Sequence, residues 1–542
     1  MARVASPSGA KSAGTLAEAA TLGYPSVPVR AALHNVGGWI PRRARISGDR
    51  IAVIDAERRL DYAALEARCA RLAGVLRGAG IGPGDRVALL LGNRSATLEA
   101  VFAAARLGAI AIPVNAWLAP PEIRFVLDDT RPGALLHEAA LADTVARAGA
   151  ERVPFRLAVG GAPDAYERAL DDADPAHEVA AVGPDDRMLL LYTSGTTGVP
   201  KGALLPHRKT LYNTLNAGLF FDLTQRDRVL VVVPLFHSFG LTILSIPALY
   251  AGATVVLQRR FDAEDVWRAV GEHGVSFLGG VPTMYRDLLE VLERAPADRF
   301  DLRSLRFLFG AGAALPVELI RAFESRGLVL KQGFGQTETS ILCCLDARDA
   351  LRKAGSVGRP VFHADVRVVT RESVELEPAR WRETAVGETG EIVVQGPITM
   401  LGYWKQPEET ARVLHDGWLR TGDLAQRDAE GFLSLVGRAR EMYISGGENV
   451  YPAQVERVYQ EHPDLREIAV VGVADARWGE VGRAYLVLAP GARLDPEALR
   501  RWGRERLAAF KVPRSFVALD ALPRNPSGKV QKHRLPEIEE TD

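Results

Sequence analysis

Cysteine is nearly absent: the 542 residues hold three, Cys69 and the adjacent Cys343 and Cys344. That number and spacing exclude a disulfide framework and a cysteine-built metal cluster. The adjacent pair reads as small buried hydrophobes rather than a redox couple. Also lacking is any apolar run long enough to cross a bilayer. Residues 1–23 are rich in Ala, Ser and Gly without a continuous apolar stretch, so they read as a flexible leader rather than a secretory signal. The cytoplasm is the expected compartment. Charge of one sign is missing too. Lys plus Arg and Asp plus Glu each number 67, so no bulk field favours nucleic acid or an anionic membrane. A local basic site for a phosphorylated small molecule stays open.

What is present is a soluble-type composition, 47% hydrophobic and 25% charged, on a chain too long for one core. Strand and helix patterns alternate from about Val27 to Val436. Asp61 is placed to cap a helix over 62–78; a strand over 86–91, a helix over 95–107 and a strand over 109–114 follow. The rhythm returns at 228–233, 241–250, 254–257, 263–273, 275–278 and 283–293. Such alternation predicts parallel sheets covered by helices, an α/β fold. After Gly437 the pattern changes to a charged junction, Arg438-Ala439-Arg440-Glu441, and a glycine turn, Ser445-Gly446-Gly447. Beyond it lie a helix near 452–461, strands near 467–473 and 485–488, and a helix over 496–507. We therefore expect a large N-terminal domain over 24–439 and a small α+β C-terminal domain over 440–542.

The most informative stretch is Thr193-Ser194-Gly195-Thr196-Thr197-Gly198-Val199-Pro200-Lys201-Gly202, which follows the apolar segment Met188 to Leu191. Glycines let backbone N–H groups converge on one anion, hydroxyls add donors, and Lys201 brings mobile positive charge. The P-loop pattern does not fit, because Lys201 stands between Pro200 and Gly202. Alone, such a segment is equally an ordinary surface connection.

Further segments follow in order. Pro234-Leu235-Phe236-His237-Ser238-Phe239-Gly240 places a histidine between aromatics at a strand's C-terminal end, where open α/β sheets form ligand crevices. Gly310-Ala311-Gly312-Ala313 leaves room for a flat ring against the backbone. Gly333-Phe334-Gly335-Gln336-Thr337-Glu338 offers a stacking face, a hydroxyl and a carboxylate. Glu338 beside a polyphosphate suits Mg²⁺, a hard cation that prefers oxygen ligands. Asp423, in Arg420-Thr421-Gly422-Asp423, is able to accept both hydroxyls of a ribose, with Gly437-Arg438 downstream. Asn525-Pro526-Ser527-Gly528 is strong turn chemistry that presents Lys529 at a tip.

Together these segments resemble the adenylate-forming superfamily of acyl-CoA synthetases, luciferases and peptide-synthetase adenylation domains, over nearly the whole chain after the leader. The resemblance implies a carboxylic acid, ATP and CoA as substrates, with Mg²⁺. It implies that Thr193, Ser194, Gly195, Thr196, Thr197 and Lys201 bind the ATP phosphates. Gly312, Ala313 and Phe334 flank adenine, Thr337 contacts the α-phosphate, Glu338 holds Mg²⁺, and Asp423 with Arg438 binds ribose. Lys529 bridges the acyl carboxylate and the α-phosphate, and His237 sits at the acyl site. Arg440 takes the hinge position, where the family usually has Asp or Lys. Gly446, Gly447 and Trp478, with Phe510-Lys511, fall to CoA. Phe334 departs from the family's usual tyrosine, which keeps stacking and loses a hydroxyl.

Within the superfamily, peptide-synthetase domains hold an amine with an aspartate near His237, and none stands here. The chain ends soon after Lys529, with no fused carrier domain expected. Acid-pocket candidates by position are Phe236, His237, Phe239, Met284, Phe334 and Ile341. They are mostly apolar, so the expected acid is hydrophobic: a medium- or long-chain fatty acid first, a benzoate- or coumarate-like aromatic acid second. An enzyme passing its adenylate to a carrier protein is a further alternative, and a homodimer is compatible with the sequence.

Overall fold

The computed structural model describes residues 34–193, 200–296, 298–313, 315–445, 448–525 and 528–537. Ser194, Gly195, Thr196, Thr197, Gly446, Gly447 and the expected leader lie outside the described residues.

Two large sheets dominate the first four hundred or so positions. One has nine strands, ordered Arg359–Pro360, Ser340–Cys344, Leu330–Gln336, Phe307–Gly310, Phe277–Gly280, Arg228–Val231, Thr254–Leu257, Ile51–Ile54 and Arg59–Asp61. Its inner pairs are parallel and its edges antiparallel. The other has seven, ordered Gly402–Tyr403, Lys201–Pro206, Arg187–Thr193, Ile110–Pro113, Arg86–Leu90, Ala134–Glu138 and Phe155–Val159.

The helix Ser95–Arg106 is buried at every residue. Its five alanines make it thin, and a largely apolar helix of this kind belongs in the interior. Its one carboxylate, Glu99, is neutralised there by Arg68 at 2.9 Å and receives the Tyr166 hydroxyl at 2.6 Å. The helix Tyr62–Gly78 starts where expected, because the Asp61 side chain accepts from the Ala64 N–H at 2.7 Å. Cys69 and Cys343 are buried and no cysteine is bonded, so burial pushes their thiols up and keeps them inert.

Two expectations need correction. The helix expected over 241–250 is split: Phe239–Ser245 is a π-helix, and an α-helix, Ile246–Ala251, follows. Gly240 lies against the backbone of Val233 and Pro234, with its carbonyl accepting from Ser245 Oγ at 2.7 Å. That close approach widens the turn, and π-turns concentrate at functional sites. Nor does strand–helix alternation continue to Val436. Residues 365–438 form an antiparallel sheet of Asp365–Val369, Thr389–Gln395, Leu414–His415, Trp418–Arg427 and Leu433–Arg438. Connections such as Asp428 to Gly431, with Gly431 at φ +84°, are too short for a crossover helix and dictate hairpins.

A fourth sheet, Glu448–Val450, Tyr443–Ser445, Gly479–Leu488 and Leu465–Asp475 with Ser515–Ala518, shares no strand with the others. The helices Pro452–Tyr459 and Pro496–Arg504 cover it around a separate core of Tyr443, Val455, Tyr459, Ile468 and Leu486. Among the described residues no helix is long and apolar enough to cross a membrane.

Candidate active site

Parallel strands deliver their following loops to one edge. The strands Arg228–Val231, Phe307–Gly310 and Leu330–Gln336 lie in the nine-stranded sheet, so the His237, Gly312 and Phe334–Glu338 segments emerge on the same side. Gly312 and Ala313 are exposed there, and Gly312 has φ +86°, a backbone position that favours glycine. Phe334 is half-buried, and Thr337 and Glu338 occupy the turn into Ser340–Cys344.

The antiparallel sheet supplies the next group. Its register sets Asp423 opposite Arg438, and Asp423 Oδ1 receives Arg438 Nε at 3.0 Å. Gln336 Nε2 bonds the other carboxylate oxygen, tying this pair to the Phe334 segment. Burial raises the Asp423 pKa, opposed by Arg438 and Lys529. Glu338 Oε1 accepts from the Tyr403 hydroxyl at 2.8 Å, and its backbone carbonyl accepts from Met400 N at 2.8 Å. Tyr403 pairs with Ala203 beside Lys201, and the Lys201 ammonium stands 5.3 Å from the Tyr403 ring centre while ion-paired with Glu409. Thr193 faces Lys201 across the hairpin, its Oγ1 donating to the Lys201 carbonyl at 3.3 Å.

Lys529 enters from the C-terminal domain. It lies within electrostatic reach of His237, Asp423, Arg438, Arg440 and Glu441. The side chain keeps solvent access, yet enclosure by the surrounding protein, with Arg438 and Arg440 adding repulsion, lowers its pKa to about 8. Burial first and Lys529 second lower His237 to about 4, so this imidazole is neutral at physiological pH. The His237 Nδ1 accepts from Phe239 N at 3.3 Å, leaving Nε2 for a ligand.

The structure thus gathers His237, Phe334, Thr337, Glu338, Asp423, Arg438 and Lys529, with Lys201 and Thr193 joined through Tyr403. Trp478 stands elsewhere, 39% exposed at the tip joining Leu465–Asp475 to Gly479–Leu488, where Arg477 lies 5.0 Å from its ring centre. Its neighbour Gly479 pairs with Ser445. Sequence reasoning missed Gln336, Tyr403 and Glu409. The available signal was Gly402-Tyr403-Trp404, an aromatic pair after glycine in a polar stretch, whose spacing says nothing about Glu338.

A single carboxylate suits Mg²⁺ here, because that ion keeps several waters and takes substrate phosphates as its other ligands. Tyr403 orients one oxygen of Glu338 and is the only hydroxyl described on it, so the donor set fits. Among the described residues no cluster of three His, Cys, Asp or Glu forms a metal cage.

The model of the AMP-binding enzyme family matches residues 40–404, and that of the AMP-binding enzyme C-terminal domain matches 454–529. The chain is 43% identical over 498 residues to a feruloyl-CoA synthase of an Amycolatopsis species, covering 92% of this chain and 97% of that one. It is 35% identical over 515 residues to a long-chain-fatty-acid–CoA ligase of Mycobacterium tuberculosis, covering 93% and 98%. The solved o-succinylbenzoate CoA synthetase of Bacillus subtilis, in complex with its acyl-adenylate, superposes with a TM-score of 0.82 at 32% identity over 93% of this chain and 99% of that one. The chain belongs to the AMP-binding enzyme family. It is an acid–thiol ligase of the AMP-forming kind.

Proposed function

We propose that the protein converts an aromatic carboxylic acid of the phenylpropanoid kind to its CoA thioester, through an acyl-adenylate and with release of pyrophosphate and AMP. The observation that carries this reading over the fatty acid expected from the sequence is the 43% identity with a feruloyl-CoA synthase across nearly the whole chain. Among the acid-pocket candidates, the Phe239 ring lies on Gly279, where a Cβ would come within 3.0 Å of it, and stands edge-on to Phe309 at 5.8 Å.

In the first half-reaction the acid's carboxylate oxygen attacks the α-phosphorus of ATP and pyrophosphate leaves. Both reactants are anions, so their repulsion is the obstacle. Lys529 sits between the Asp423–Arg438 pair and His237, where its charge neutralises both; a preorganised donor of this kind contributes roughly 3–4 kcal/mol. Asp423, with Arg438 holding its carboxylate, takes the ribose hydroxyls. Phe334, Gly312 and Ala313 flank adenine, and Thr337 donates to the α-phosphate. Lys201, with Thr193 and the loop through Thr197, receives the outer phosphates. Glu338, oriented by Tyr403, would hold Mg²⁺, which neutralises phosphate charge when bound. In the second half-reaction the CoA thiol attacks the acyl carbonyl and AMP departs. The domain boundary falls at Arg440, the pivot that withdraws Lys529 and brings Gly446, Gly447 and Trp478 toward the thiol's path.

The test is acid-dependent pyrophosphate release, with and without CoA, across ferulate, coumarate, benzoate, dodecanoate and palmitate. The highest kcat/KM is expected on ferulate or coumarate. A ranking led by the fatty acids would favour the reading suggested by the 35% identity with a long-chain ligase.

A further inference from the structure

Lys529 is carried into the cleft by the C-terminal domain, so its position depends on what holds that domain against the large one. Arg286 spans that boundary. It lies on the helix Pro282–Arg294 of the large domain, and its Nη1 donates to the Arg466 carbonyl at 2.6 Å. Arg466 belongs to the C-terminal strand Leu465–Asp475. The next residue, Glu467, pairs with Arg524 Nη2 at 2.6 Å, and Arg524 Nη1 donates to the Gly528 carbonyl at 2.5 Å, one residue before Lys529. The loop is closed by Asn525, whose Oδ1 accepts from Lys529 N and whose N–H donates to the Lys529 carbonyl, each at 2.8 Å.

The start of the same helix meets the other side of this loop. A Cβ on Gly528 would stand 3.7 Å from Val281 Cγ2, at the helix N-cap. Thus one helix and its N-cap approach the lysine loop on two sides: Val281 lies near Gly528, and Arg286 connects to it through Arg466, Glu467 and Arg524. Burial at the boundary lowers the Arg286 pKa and the Glu467 carboxylate opposes that shift.

We propose that the helix Pro282–Arg294 docks the C-terminal domain for adenylation and that Arg286 is a positioning residue for Lys529. The inference rests on the role given to Lys529 above. Arg286 bonds a backbone carbonyl, so its function needs one donor of sufficient reach and no particular partner side chain. Met284, an acid-pocket candidate, lies on the same helix, which places acid binding and domain docking on one element.

The experiment compares full-length wild type with Arg286→Ala, Arg286→Met, Arg286→Lys and Lys529→Ala. Two rates are measured: pyrophosphate release, and CoA consumption from chemically synthesised acyl-adenylate. Losing one charge-assisted hydrogen bond predicts about tenfold slower pyrophosphate release in Arg286→Ala and Arg286→Met. Thioester formation from the supplied adenylate stays at the wild-type rate, and Arg286→Lys recovers most of the first rate. Equal loss in both half-reactions would overturn the proposal, because a merely structural side chain behaves that way. Wild-type pyrophosphate release in Arg286→Ala alongside a slow Lys529→Ala refutes the docking role alone. Unimpaired release in Lys529→Ala refutes the reading beneath it.

Discussion

Lys529 gives the sharpest test of the proposed chemistry, because its environment changes when it is charged as well as where it stands. Its pKa is lowered to about 8 from an ordinary value of 10.5, by enclosure first and by Arg438 next. The cation is the active form, so raising the pH removes it and the rate falls on the alkaline side. With a midpoint near 8, roughly nine-tenths of the enzyme is charged at pH 7 and roughly one-tenth at pH 9. The kcat/KM for acid-dependent pyrophosphate release should therefore fall about tenfold per pH unit above the midpoint. Bound ATP and carboxylate are both anions and raise the lysine's pKa, so the limb in kcat should lie to the alkaline side of the limb in kcat/KM. His237, held near 4, contributes no limb around neutrality. Lys529→Ala should lose about 10²–10³ in adenylation rate and lose the limb with it. Lys529→Arg keeps its charge throughout and should be flat across the same range. An alkaline limb that survives in Lys529→Ala would refute the reasoning, whatever the size of the rate loss.

Removing the Tyr403 hydroxyl leaves the ring beneath Lys201 and strips one hydrogen bond from Glu338. Tyr403→Phe should slow pyrophosphate release about ten- to a hundredfold and raise the Mg²⁺ concentration for half-maximal rate, as read from a Mg²⁺ titration. Separately, His207 is fully buried with its pKa lowered to about 4, chiefly by burial, while Nδ1 accepts from Val36 N at 3.2 Å. Above the unfolded value near 6.5 both states are neutral and pH has no effect through this group; below it the unfolded chain takes the proton first. Stability should fall by about 2 kcal/mol between pH 7 and pH 5 through this residue, and a thermal melt series on His207→Gln should show the slope flattened.

The helices and parallel strands of the large domain were legible because their signals are local. Asp61 caps the helix that starts at Tyr62, and the helix expected over 263–273 appears as Ala263–His273. The antiparallel sheet over 365–438 was not, since its central strands Thr389–Gln395 and Trp418–Arg427 are buried at most positions and lack the alternation that marks a half-buried strand. The choice between a fatty and an aromatic acid was not legible either. Apolar residue types at the candidate positions Phe236, Phe239 and Ile341 favour a hydrophobic acid of either kind, and no spacing encodes packing such as that of the Phe239 ring against Gly279. The site residues that were missed share one property: Gln336, Tyr403 and Glu409 act on partners in another sheet or across a helix, brought near by tertiary packing. Tyr403 reaches Glu338 because Gly402–Tyr403 adds to the edge of the seven-stranded sheet.

The balanced charge count concealed the most important electrostatic feature. Arg438, Arg440 and Lys529 converge on a cleft whose neighbouring acids include Asp423 and Glu441. Enclosure first and repulsion from Arg438 and Arg440 after it lower the Lys529 pKa, and two anionic substrates oppose both effects by favouring the charged form. The neutralisation that lets a carboxylate approach a phosphate also rewards the protein for placing Lys529 in the cleft once both are bound. Once pyrophosphate has left and the acid's carboxylate has been esterified, much of that negative charge is gone and the cations repel again. On the function proposed above, the same residues would favour entry of the C-terminal domain before adenylation and its withdrawal afterwards, so the order of the two half-reactions would follow from where the charge is.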